Sequence, residues 1–263
     1  MDEKRKIRAL FFDVDGTLVS FRTHRVPGSA RAALEEAHRR GVRIFIATGR
    51  AVGDLAVLKE IPYDGVAGLN GADCRLRDGT IVARHPISRA DFERVLALGA
   101  EMDFPVGLEF DDGIFVDRVT PAVEELAQLV AHPVPARADL RALFAQRGCC
   151  QMCFYCDPET ERRAMDRLPS LAASRWCPHL ADINVRGVDK ATGLAAFAGR
   201  LGFRTDEVMA FGDGGNDTAM LRAAGIGVVM GDAGPEVRAA ADHTTAPVDA
   251  DGIVLALRCF GVL

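Results

Sequence analysis

No stretch of this 263-residue chain approaches the roughly 18 consecutive apolar residues of a membrane span, which argues against a membrane partner. Positive charge is not in excess either: 32 Lys and Arg stand against 37 Asp and Glu, for a formal net charge of −5. The arginines are spread rather than clustered, so the basic footprint of a nucleic-acid binder is missing. Aromatic residues are scarce. With one Trp and two Tyr, stacking on a ligand falls mostly to the 14 Phe. The seven cysteines are odd in number, and Cys74, Cys177 and Cys259 lie far apart. A secreted disulfide framework is thereby disfavoured, and a reducing cytoplasm fits better. Met1 to Lys6 is charged but precedes no signal-peptide core, because the apolar run behind it is broken by Asp13. No Gly-x-Ser-x-Gly, Walker A or Gly-x-Gly-x-x-Gly run stands between a strand and a helix, so the chemistries those runs carry are not indicated.

What remains is an ordinary soluble composition, 49% apolar and 26% charged, long enough for one large domain or two smaller ones. The first third alternates strand and helix. Ile7-Arg8-Ala9-Leu10-Phe11-Phe12 is nearly all apolar, as a strand covered on both faces would be. Residues 29–40 read as a helix that Ser29 can cap and that a Glu36–Arg40 pair supports. Strands follow at 42–47 and 65–70, with a helix between them over 51–59. From about Thr80 the turns become denser. The pattern predicts helices near 88–102, 120–131, 138–147 and 159–168, with strands near 105–109, 113–117, 149–156 and 180–185. Phe92, Val95, Leu96 and Gly99 form the apolar face of the first of these helices. The earlier rhythm resumes after Arg186-Gly187, with a helix over 189–201, a strand over 207–212, a helix over 217–224 and a strand over 226–230. The simplest organisation is a doubly wound, mostly parallel α/β core, residues 1–81 and 187–263, interrupted by an α+β module over 82–186.

Chemistry concentrates where apolar strands end in acids. Asp13-Val14-Asp15-Gly16-Thr17 follows the first strand and sets two carboxylates two residues apart at the ligand-binding end of such a sheet. One can attack an electrophile or hold a cation while the other moves protons. Gly212-Asp213-Gly214-Gly215-Asn216-Asp217 repeats the arrangement, and its oxygen-bearing side chains suit a hard cation such as Mg2+. Thr48-Gly49-Arg50 ends the second strand, where a hydroxyl and backbone N–H groups can hold a phosphate. Lys190 opens a helix, a position the helix dipole disfavours for a cation, so it reads as aimed at an anion. The CxxCxxC run Cys150, Cys153 and Cys156, with Cys149 adjacent, invites a soft-metal reading. Its strand-like composition instead sends Cys150, Met152, Phe154 and Cys156 to one face and Gln151, Cys153 and Tyr155 to the other, as buried thiols. His85, His132, His179 and His243 have no metal-ligand spacing.

Taken in order, Asp13-Val-Asp15-Gly-Thr, Ala47-Thr48-Gly49-Arg50, Asp189-Lys190-Ala-Thr-Gly193 and Gly212-Asp213-Gly-Gly-Asn216-Asp217 resemble the four motifs of the haloacid dehalogenase superfamily. The chain is most similar to its Cof-type sugar-phosphatase branch. There a cap lies between the second and third motifs, and Asn70-Gly71-Ala72 and Ala241-Asp242-His-Thr-Thr245 also look like branch features. The resemblance implies a Rossmann-like core with an inserted cap, which closes over Asp13 on hinges near Thr80 and Arg186. It implies a Mg2+-dependent phosphatase acting on a small phosphorylated metabolite, foremost a sugar phosphate, in a cytoplasmic monomer or weak homo-oligomer. Asp13 would be the nucleophile that forms an aspartyl-phosphate, and Asp15 the acid and base. Mg2+ would be held by Asp13, the main-chain oxygen of Asp15, and Asp213, with Asp217 near its outer shell. Thr48, Gly49, Lys190 and Asn216 would hold the phosphoryl group, with Asn70 a candidate substrate contact. Two alternatives stand beside this. A phosphomannomutase-like phosphomutase would need extra cations in the cap, for which Arg118, Arg137, Arg141, Arg147 and Arg175 are candidates. A non-catalytic phospholigand-binding protein would need neither nucleophile nor acid.

Overall fold

A computed structural model describes residues 6–129 and 133–263; Met1–Arg5 and His132, weighed above, lie outside them. The chain runs through β1 (Ala9–Phe12), α1 (Gly28–Arg39), β2 (Arg43–Ala47), β3 (Gly65–Gly68), β4 (Asp73–Leu76) and β5 (Ile81–Arg84). It then builds α2 (Arg89–Glu101), β6 (Val106–Phe110), β7 (Gly113–Val116), α3 (Pro121–Leu129), β8 (Ala136–Arg137), α4 (Leu140–Arg147), β9 (Met152–Phe154), α5 (Pro158–Met165), β10 (Leu171–Cys177) and β11 (Leu180–Val185). It closes with α6 (Lys190–Leu201), β12 (Val208–Gly212), α7 (Thr218–Ala223), β13 (Ile226–Val229), α8 (Pro235–Arg238), β14 (His243–Thr244) and α9 (Gly252–Cys259). Two compact units result. One ends at Ala83 and resumes at Asp189; the other runs from Arg84 to Val188.

The first unit holds an eight-stranded sheet in the order β14-β13-β12-β1-β2-β3-β4-β5. The strands from β14 to β3 are parallel, and β4 turns back antiparallel to β3. A continuous apolar run forms β1 because both of its faces are covered. Leu10 and Phe12 join a cluster with α1 and α9, while Ala9 and Phe11 join another with α6 and α7. Phe12 stacks on Phe211 at 4.5 Å, and Phe11 on Phe45 at 4.7 Å, each centroid to centroid. Burying each ring is worth about 1.5–3 kcal/mol, so the strands that end in acids are among the best held.

Two expectations fail in this unit. Ser29 does not cap α1: Pro27 occupies that position, and the Ser29 hydroxyl donates to Asp251 at 2.5 Å. Pro27 pre-sets the entry geometry, which frees the serine to tie α1 to the start of α9. The helix expected over 51–59 shrinks to one 3₁₀ turn, Ala56–Leu58. Gly53 and the β-branched Val52 and Val57 give that stretch little intrinsic helicity.

The second unit has its own six-stranded sheet, ordered β10-β11-β9-β6-β7-β8, antiparallel except for the β7–β8 pair. Phe92, Val95 and Leu98 of α2 pack with Leu108, Met152, Phe154 and Ile183 in one core. Leu98 takes the buried place expected for Leu96, which is only partly buried. Strand β10 has no counterpart in the sequence reading, since Ala172, Ala173, Ser174 and Arg175 carry little β propensity; antiparallel pairing with β11 makes it a strand. The cysteine run alternates about Met152–Phe154. Met152 and Phe154 join the helix-packed core, whereas Cys153 and Tyr155 join a second cluster with Val123, Leu126 and Cys177.

Candidate active site

In the first unit's sheet the chain leaves β1 to build β2 on one side and later returns to build β12 on the other. That reversal opens a crevice at the carboxyl ends of β1 and β12. Phe12 registers with Phe211, and the Asp13 N–H donates to the Phe211 carbonyl at 3.0 Å. Asp13 and Asp213 are therefore delivered side by side. The chain then coils tightly: Leu18 and Val19 N–H groups both donate to the Val14 carbonyl, and Gly16 N–H donates to that of Val19. Gly16 makes this possible. Its φ is +87°, and a Cβ there would stand 2.3 Å from Asp213 Oδ2. The next residue, the buried Thr17, donates its hydroxyl to Asp213 Oδ1 at 2.7 Å.

Lys190 is completely buried at the first turn of α6. Its ammonium donates to Asp13 Oδ1 at 2.5 Å and to Asp217 Oδ1 at 2.6 Å. The other oxygen of Asp217 accepts from the N–H groups of Asp213 (3.0 Å) and Gly214 (2.9 Å). Asp217 thus locks the Gly-rich turn and aims the lysine. Its sequence neighbour Asp189 caps α6, accepting from the Thr192 N–H, which keeps the helix start fixed although a cation opens it.

Arg50 grips Asp15 with both forks. Its Nε and Nη2 each donate at 2.8 Å, one to each carboxylate oxygen, while Nη1 reaches Asp54 at 3.4 Å. Thr48 is buried, its hydroxyl accepting the Arg50 N–H at 3.1 Å and its carbonyl accepting the Asn70 N–H at 2.8 Å. Gly49 lies half-buried between Thr48 and Arg50. Asn216 donates from Nδ2 to Asn70 Oδ1 at 3.0 Å, so the ends of β2, β3 and β12 are linked. Asn70 stands in a left-handed run with Leu69 (φ 51°) and Gly71 (φ +87°). A Cβ on Gly71 would meet the Asp189 carbonyl oxygen at 2.1 Å, so this bend needs glycine.

Charge in the crevice is unbalanced. Carboxylate oxygens of Asp13, Asp213 and Asp217 lie within 4.8 Å of one another, with the Lys190 ammonium bonded to two of the three residues. Burial pushes the Asp13 carboxyl well above the ordinary carboxylate range, against the pull of Lys190 and with Asp217 and Asp213 adding to the rise. Burial likewise pushes Asp213 up to about 6, opposed by the Thr17 hydroxyl and assisted by Asp217. Burial works against the Lys190 charge, but Asp13 and Asp217 outweigh it and hold the lysine above its usual value. The Asp15 hydrogen bonds, opposed by burial, raise Arg50 in the same way. Excess negative charge, presented only by oxygen donors, fits a hard divalent cation.

The sequence-derived site residues of the first unit therefore gather in two linked groups, Asp13, Asp213, Asp217 and Lys190 in one, and Thr48, Asn70 and Asn216 in the other. The carboxylate of Asp15 stands apart from the acidic cluster, engaged with Arg50. Two contributors went unread. Thr17 sits inside the first motif with no side-chain role assigned to it from the sequence, and Arg50 is visible there only as a neighbour of Thr48. In the second unit, Glu109 and Asp182 approach Cys153, and Gln151 donates to Glu109 at 2.8 Å. Burial pushes the Cys153 thiol well above its ordinary value and that of Cys149 up to about 12, so burial works against the thiolate form of both.

The chain matches the family model of haloacid dehalogenase-like hydrolases over residues 10–257. Its fold is shared with BT1666 of Bacteroides thetaiotaomicron, described among phosphatases of the haloalkanoate (HAD) superfamily, at 48% identity and a TM-score of 0.96, covering 100% of this chain and 98% of that one. It is also similar to the subclass IIB sugar phosphatase BT4131, at 36% identity and a TM-score of 0.89, covering 97% and 100%. Among curated proteins it is 28% identical to the HMP-PP phosphatase of Citrobacter koseri over 90% of this chain and 88% of that protein.

Proposed function

The chain belongs to the haloacid dehalogenase-like hydrolases, and we propose that it is a Mg2+-dependent phosphatase that cleaves small phosphate monoesters, foremost sugar phosphates, through an aspartyl-phosphate. The observation that carries this reading is the buried Lys190 ammonium shared by Asp13 and Asp217 where β1 and β12 end. A structural ion pair needs neither a third carboxylate beside it nor a crevice at a switch point. The relatives named as sugar and HMP-PP phosphatases support small phosphorylated metabolites as the substrate class.

In this mechanism an Asp13 oxygen attacks phosphorus, an O–P bond forms and the ester P–O bond breaks. Asp15 gives its proton to the departing oxygen. In the second step Asp15 takes a proton from water, the water oxygen attacks phosphorus, and Asp13 is released with inorganic phosphate. Lys190 steadies Asp13 against recoil and offers its positive charge to the phosphoryl oxygens, with Thr48 and Asn216 assisting. Arg50 fixes the plane of the Asp15 carboxylate through its two 2.8 Å hydrogen bonds. Asp13, Asp213 and the main-chain oxygen of Asp15 would hold Mg2+, which when bound supplies positive charge against the phosphate and the carboxylates.

A mutase is the weaker reading on one specific count. Four of the five arginines that could hold a second phosphate are tied to carboxylates: Arg118 to Asp103 and Asp117, Arg141 to Glu93, Arg147 to Asp112, and Arg175 to Glu161.

Two experiments test the proposal. A panel of phosphate monoesters should be hydrolysed with Mg2+, lose turnover in chelator and regain it on metal addition. Asp213→Ala should raise the Mg2+ needed for half-maximal rate by about tenfold or more, since one inner oxygen is lost. Full turnover with metal confirmed absent contradicts the proposal. Asp15→Asn should slow alkyl esters by about 10²–10⁴-fold, while activated aryl esters, whose leaving groups need no proton, lose far less. Equal losses on both ester types would remove Asp15 from the proton-transfer role.

A further inference from the structure

Phe21 follows the first motif by four residues and is 65% exposed, in a chain that buries most of its phenylalanines. Exposure alone means little for a single surface residue. Its position means more. A Cβ placed on Gly16 would stand 2.7 Å from Phe21 Cε2 and 2.3 Å from Asp213 Oδ2. The ring edge and that carboxylate oxygen are therefore no further apart than those two distances laid end to end. An apolar ring open to water borders the acidic crevice.

The ring is also presented by a pinned segment. Ser20, immediately before it, is fully buried and donates its hydroxyl to Asp249 at 3.0 Å. The same hydroxyl accepts the N–H groups of Arg22 and Thr23, at 3.1 and 3.2 Å. Arg22, immediately after, pairs with Asp249 at 3.1 Å. Ser20 N–H reaches the Arg25 carbonyl, and His24 N–H the Ser20 carbonyl, closing the turn. Both chain neighbours of Phe21 are thus anchored on one aspartate, which limits the entropy lost when a ligand settles on the ring.

We infer that Phe21 is a specificity-determining residue that takes the flat apolar face of a ring in the leaving group of the phosphate ester. This inference rests on the phosphatase reading of the neighbouring site and adds a substrate class to it: esters whose alcohol carries an aromatic heterocycle or the C–H face of a sugar ring. Both present the same chemistry to a phenyl ring, an apolar plane that gains by stacking and by leaving water.

The test measures binding without turnover, in the intact protein with Mg2+. Phenylphosphonate and methylphosphonate are titrated calorimetrically into wild type, Phe21→Ala and Phe21→Trp. The affinity ratio of phenyl over methyl should fall about three- to tenfold in Phe21→Ala and be retained in Phe21→Trp. An unchanged ratio in Phe21→Ala, or no binding of phenylphosphonate to the wild type, overturns the inference. The kcat/KM ratios of an aryl phosphate and of a hexose 6-phosphate, each over glycerol 3-phosphate, then show which ring source Phe21 favours. Should the wild type bind phenylphosphonate through Phe21 yet turn over no ester, the phosphatase reading falls and the ring contact stands.

Discussion

Replacing Asp13 with Asn should reduce turnover by about four orders of magnitude or more while the protein remains folded. The carboxamide has the shape of the carboxylate, and its oxygen can still accept from Lys190, but it is a poor nucleophile for phosphorus. Stability should change little, within about 1 kcal/mol. Burial already opposes the Asp13 charge, and Asp217 still engages the Lys190 ammonium. Two measurements check this, steady-state hydrolysis of the best ester and the denaturant midpoint. Rapid quenching with a labelled ester adds a third, in which label should appear on Asp13 of the wild type and be absent from the variant. Substantial phosphatase activity in Asp13→Asn would sink the covalent mechanism.

Lys190→Met should damage both folding and catalysis. The side chain has no exposed surface, and its ammonium bonds to two carboxylates at 2.5 and 2.6 Å. Methionine has a similar length and no charge, so Asp13 and Asp217 would remain buried without their cation. Breaking a buried pair from one side costs about 3–5 kcal/mol, because the surviving charge is left uncompensated. Turnover should fall by about 10²–10³-fold or more, as one positioned donor to the phosphoryl group is lost. Combining Lys190→Met with Asp217→Asn separates the two effects: stability should recover in part, since one stranded charge is gone, while turnover stays low. A single variant that unfolds at the wild-type denaturant concentration and retains most of its turnover would remove Lys190 from both roles.

Legibility varied with the range of the interaction involved. Strand β1 could be read because an unbroken apolar run needs no partner to be recognised, and the acids after it are local to that run. The same holds for β12 and Asp213. The stretch 51–59 was misread because its apolar residues suggested a helix, whereas Gly53 and the β-branched valines left only the 3₁₀ turn Ala56–Leu58. Strand β10 was missed for the opposite reason: its small and polar residues take strand geometry only because β11 offers a ladder to pair with. Arg50 was seen as the residue after Gly49, yet its partner Asp15 lies 35 positions away.

By itself the sequence determined which residue types stand at the ends of the buried strands, their order along the chain, and hence the family the chain resembles. Hydrophobic periodicity and turn chemistry act over a few residues, so they survive in a linear text. The tertiary structure alone decided who meets whom. Lys190 reaches Asp13 across 177 positions and Asp217 across 27, and Thr17 reaches Asp213 across 196. Those contacts exist because β12 returns beside β1 in a definite register, which brings the carboxyl ends of both strands to one crevice. Here two carboxylates converge on the buried ammonium and compensate its charge, and no local pattern records that convergence.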